Sequence, residues 1–135
     1  MGFLLGAAAL VIALDLVQKQ LAISERGEGV YLHDRPVSYV IAGAALSLGW
    51  AGAIALTRSA LIAVPGGVVL GGAAGNLLSF ALWPSLRGVP DTIVAGGLAF
   101  SVGDVAVGVG LLLLAPATLI FARRNRGRLF DPLST

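Results

Sequence analysis

The sequence predicts an all-α membrane protein of four transmembrane helices with a small extracytoplasmic loop or β region. Three observations predict it. Of 135 residues, 57% are hydrophobic and only 12% charged, about half the charged share of a water-soluble domain, and mean hydropathy is +0.92. The apolar residues fall into four stretches, each reaching the roughly 20 residues that cross a hydrocarbon core. Short polar segments carrying arginines separate those stretches.

The first span is drawn at about 2–23, with Asp15 and the Gln18-Lys19-Gln20 cluster toward its end. Lacking a basic start, it reads as a retained helix rather than a cleaved leader. The second covers about 37–56. The third, about 60–82, has Pro65 early, where proline either kinks a helix or helps begin one. The fourth, about 93–121, exceeds what a crossing needs, so its first residues are candidates for an interfacial strand or loop. A basic tail, 122–135, follows, and the whole chain reads as one membrane domain. Arg58, Arg123, Arg124, Arg126 and Arg128 fall on one side, against Arg26, Arg35 and Arg87 on the other. That bias predicts cytoplasmic termini, with segment 24–36 and the region around Asp91 facing outward.

Several chemistries are not expected. The chain has no cysteine and a single histidine, His33, so neither disulfides nor a metal cluster is anticipated, and no cofactor is implied. The basic residues flank spans rather than covering a soluble face, which argues against nucleic acid as a partner. The run Gly71-Gly72-Ala73-Ala74-Gly75-Asn76 lacks the Lys-Ser/Thr of a phosphate loop and reads as close helix packing in lipid.

Ionisable groups inside apolar spans cost roughly 2.5–3.5 kcal/mol each on insertion scales, so each is a candidate for function. Lys19 follows Asp15 by four residues and shares its helix face, which fits a structural ion pair. Asp91 ends the loop segment Gly88-Val89-Pro90, and Asp104 stands at the start of a long apolar run. Read alone, Asp91 fits a solvated loop acid and Asp104 a helix cap. Read together, two carboxylates facing each other in a poorly hydrated place share a proton, the logic of an aspartic protease. Asn76, a buried amide, is placed to orient one of them.

These residues resemble the lipoprotein signal peptidases (signal peptidase II), four-helix membrane aspartic proteases of bacteria. Asp15 through Lys19 resembles the family's Asp-Gln-x-x-Lys. Gly43-Ala44-Ala45 resembles its Asn-x-Gly-Ala-Ala-Phe, and Gly71 to Leu78 its Gly-Gly-Ala-x-Gly-Asn-Leu-Ile. Gly88-Val89-Pro90-Asp91 and Phe100-Ser101-Val102-Gly103-Asp104 fall where the family places its two catalytic acids. The resemblance implies that Asp91 and Asp104 are the dyad, supported by Asp15, Lys19, Asn76 and Ser101. It implies a lipid-modified prolipoprotein substrate, membrane lipids as surroundings, a monomer, and the bacterial cytoplasmic membrane as location. The chain departs from the pattern at Ile41 or Ala42 for Asn, at Ser79-Phe80 for Asp-Arg, at Thr92 for Phe and at Ser101 for Asn. Two other readings stay open: acid–base chemistry on a lipid or isoprenoid, and a non-catalytic binding protein that keeps the fold.

Overall fold

Four helices long and apolar enough to cross a membrane dominate the fold: α1 (Gly2–Arg26), α2 (Val37–Leu56), α3 (Ala60–Leu82) and α4 (Val102–Arg124). The structure is a computed structural model that describes residues 1–26, 30–86 and 88–127. Arg87, Arg128 and the rest of the tail, part of the orientation argument, lie outside the described residues. Helices α2 and α3 keep the expected bounds, Pro65 included within an unbroken α3. Helix α1 runs on to Arg26, three residues past the expected end.

The fourth helix is the correction. It starts at Val102, not near residue 93, because residues 93–100 form a hairpin of β3 (Ile93–Ala95) and β4 (Leu98–Phe100). Its two-residue turn, Gly96-Gly97, has φ of +59° and +80°, the left-handed pair that tight hairpins require and that helices do not tolerate. Ser101 then caps α4, its side chain accepting from the Asp104 N–H while the Asp104 carboxylate accepts from the Ser101 N–H. Two further strands, β1 (Tyr31–Asp34) and β2 (Gly88–Asp91), pair antiparallel with Tyr31 opposite Asp91 and His33 opposite Val89.

Helix α3 is the hub, packed against α1 on one side, α4 on another and α2 on a third. The buried residues of α1, Leu4, Ala8, Asp15, Lys19 and Ala22, lie on one face at helical spacing. They meet Gly67, Gly71 and Gly75 of α3. At Gly71 a Cβ would sit 2.6 Å from the Ala8 carbonyl oxygen, so only glycine admits the approach. A small apolar cluster of Leu4, Ile54, Ile62 and Ala63 closes the end of the bundle holding the N-terminus. Helix α2 is the loosest element, with Ile54 its one buried residue.

The close α1–α3 contact has a measurable consequence. Gly71→Ala is expected to lower stability by about 1–3 kcal/mol through overpacking. Gly108→Ala, where an added Cβ meets nothing within 4 Å, is expected to be neutral or to gain up to about 1 kcal/mol of helix propensity. Thermal unfolding of both variants in detergent micelles checks this; equal behaviour contradicts the packing.

Candidate active site

One buried polar network joins α1, α3 and α4 at the bundle end away from the apolar cluster. Asp15 and Lys19 are both 0% exposed, and Lys19 Nζ donates to Asp15 Oδ2 at 2.7 Å, to Asn76 Oδ1 at 2.7 Å and to Ser79 Oγ at 3.1 Å. All three ammonium protons are thereby used. The second Asp15 oxygen accepts from the Gly103 N–H at 2.7 Å, which ties α1 to the first turn of α4. Asn76 Nδ2 donates to Asp104 Oδ1 at 2.9 Å. Ser101 Oγ lies within hydrogen-bonding distance of Asn76 Oδ1 and Asp104 Oδ2. Among the described residues no buried polar side-chain atom lacks a partner.

The network ends on an acid that faces open space. Asp104 is exposed, but its carboxylate is fixed by the Asn76 amide and the Ser101 N–H. The helix-cap reading of this residue is thus part of its geometry, with Ser101 the capping residue and Asp104 three positions on. Asp91 comes from a different element, the last residue of β2, and is 4% exposed. Pairing with β1 anchors its backbone on one side. On the other, Arg26 Nη1 donates to the Thr92 carbonyl at 3.0 Å and Thr92 Oγ1 to Gln18 Oε1 at 2.5 Å. A solvated loop acid does not describe it.

Asp91 and Asp104 line one cavity of about 170 Å³, together with His33, Arg35, Tyr39 and Asn76. That space holds a few waters, at roughly 30 Å³ each in the liquid, or a single peptide unit. Burial pushes the Asp91 carboxyl above the usual carboxylate range; a hydrogen bond from His33 opposes this and the nearby charge of Asp104 adds to it. Burial therefore disfavours Asp91 as an anion more than an ordinary surface carboxylate.

The structure therefore brings Asp91, Asp104 and Asn76 to the cavity and places Asp15, Lys19 and Ser101 behind it. Sequence reasoning had not assigned His33, Arg35, Tyr39 or Ser79. His33 Nδ1 contacts Asp91 Oδ2 directly. The Arg35 guanidinium stacks 5.0 Å from the centroid of the Tyr39 ring, and that ring packs on Phe80 at 6.3 Å. Tyr39 also borders a second cavity, an apolar groove of about 670 Å³ between α2 and α3, walled by Gly43, Leu46, Trp50, Leu70 and Leu77. The run Val30-Tyr31-Leu32-His33, rich in strand-favouring residues and stopped by Pro36, was the signal for a strand that carries His33. Among the described residues no group of three or more His, Cys, Asp or Glu is arranged to hold a metal ion. Comparison of the chain with protein-family models, curated proteins and solved structures returns no match.

Proposed function

We propose that the chain crosses the bacterial cytoplasmic membrane four times with both termini inside, and acts as a signal peptidase II-like aspartic endopeptidase on lipid-modified prolipoproteins. The observation that carries this reading is the convergence of Asp91 and Asp104, from separate elements, on one small cavity. In this reading Asp104 takes a proton from a water as the water attacks the scissile carbonyl carbon. Asp91 gives its proton to the carbonyl oxygen, and a gem-diol results. Asp104 then protonates the departing amine, the C–N bond breaks and a diol proton returns to Asp91. The apolar groove meeting the cavity at Tyr39 suits a substrate held in lipid at the same depth. Arg58, Arg123, Arg124 and Arg126 at the opposite end support the orientation.

Acid–base chemistry on another amphiphile is the second reading. It is favoured by Phe80, which stands where the resembled family has arginine, and by the cation of Arg35 approaching the cavity from the link between β1 and α2 instead. The deciding experiment supplies purified protein in lipid with a diacylglyceryl-modified prolipoprotein reporter. Release of the signal peptide on the amino side of the lipidated cysteine is expected. An intact reporter, with a copurified lipid chemically altered by the protein, overturns the peptidase reading in favour of the second.

A further inference from the structure

The chain has one histidine, and it touches one of the two acids. The reason lies in the β1–β2 register. Tyr31 is directly opposite Asp91, so the two side chains share a face of the ribbon. His33, two residues along β1, falls on that same face, diagonal to Asp91 and within reach. The contact joins His33 Nδ1 to Asp91 Oδ2. The imidazole is 41% exposed and the Asp91 side chain 4%, so the ring spans the interval between the buried acid and the cavity mouth. Tyr31 supports it edge-on, with ring centroids 5.2 Å apart at 69°.

Charged and titratable groups approach this pair from every side. Asp34 follows on the opposite face of β1, Arg35 reaches the cavity from the link after β1, and Tyr39 from the first turn of α2. Asp104 faces it from α4. Lys19 acts from α1 through its charge on Asp91, but is already paired with Asp15. The α3 contribution, Asn76, does not titrate. Among the described residues, the close acid–base side-chain pairs are Lys19–Asp15 and His33–Asp91.

We propose that His33 is the positioning residue of the acid pair, occupying one Asp91 oxygen so that the working proton stands on the other. The proposal rests on the acid-pair reading above. With neutral His33 donating its Nδ1–H to Asp91 Oδ2, the proton that Asp91 gives to substrate resides on Oδ1. The same bond also stabilises the anion and opposes the upward push of burial on the Asp91 carboxyl, so what His33 contributes is the position of the proton and not its retention. The exposed side of the ring lies at the cavity mouth. During turnover His33 gains and loses no net proton; Asp91 is reloaded by the gem-diol as described.

Two measurements test it. The first needs no substrate: with one histidine in the sequence, ring ¹⁵N shifts of labelled protein in micelles report its tautomer directly. Wild type is expected to show the Nδ1–H tautomer when neutral, and Asp91→Leu, which removes the acceptor, to show the Nε2–H tautomer. An Nε2–H tautomer in wild type overturns the proposal. The second is the split of kcat against KM in reporter cleavage. His33→Leu, which leaves both Asp91 oxygens equivalent, is expected to lower kcat by about tenfold or more with KM little changed, and His33→Gln, whose amide can donate to the same oxygen, to recover part of the loss. An unchanged kcat in His33→Leu overturns the role of His33 while leaving the acid pair standing. Full activity of Asp91→Asn and Asp104→Asn instead removes the acid-pair reading and this proposal with it.

Discussion

Lys19→Met is expected to cost about 3–5 kcal/mol of stability, the range for removing one partner of a buried ion pair. Methionine matches the volume of lysine, so no cavity opens and the loss is electrostatic. Asp15, fully buried, is left with the Gly103 N–H as its remaining donor, while Ser79 Oγ and Asn76 Oδ1 each lose a charge-assisted partner. Removing both charges at once, Asp15→Leu with Lys19→Met, spares the isolated carboxylate but orphans the Gly103 N–H. The double variant is therefore expected to recover only part, remaining about 1–3 kcal/mol below wild type. Unfolding of the set in bicelles, read as a double-mutant cycle, checks both values. A single-variant loss below about 1 kcal/mol, the level of an exposed ion pair, contradicts the burial of Lys19.

How much of this was readable beforehand depends on the range of each interaction. The helices were legible because hydropathy averages over a whole span; the bounds of α2 and α3 follow directly. The Asp15–Lys19 pair was legible because its spacing is local. The connection from Lys19 through Asn76 to Asp104 was only partly so. It needs α3 between α1 and α4, and the glycine row Gly67, Gly71, Gly75 announces a close approach without naming the partner helix. The start of α4 was left between a helix and an interfacial strand or loop because residues 93–100 are apolar in either, and the decision lies in the two glycines at 96 and 97. His33 was hidden most deeply. Its partner is 58 positions away, and whether a strand at 31–34 presents it to Asp91 is a matter of register, which one residue of slip reverses.

Asp91→Asn is expected to abolish turnover, by at least about 10³-fold, while leaving the fold intact or slightly firmer. The amide keeps an oxygen for the His33 contact but has no carboxyl proton to donate. Its effect on stability follows from the sign of the linkage. Burial holds the Asp91 carboxyl above its ordinary value near 3.8, so the native state binds more protons than the unfolded chain between the two values, and wild-type stability declines as pH rises through that window. The asparagine variant lacks this decline and should equal or exceed wild type at neutral pH. Asp104→Asn is the contrasting case. Its carboxylate accepts from the Asn76 amide on one oxygen and from Ser101 on the other, so an NH₂ on either side meets a donor, and about 1–3 kcal/mol of stability is lost along with activity. Turnover assays paired with thermal unfolding over pH 3 to 7, a range set to bracket carboxylate titration, separate the two. An acid whose removal stabilises the fold yet ends the reaction has no structural reason to be there. If Asp91→Asn is both active and less stable than wild type, Asp91 is a brace for the β1–β2 ribbon and the acid pair is not the seat of chemistry.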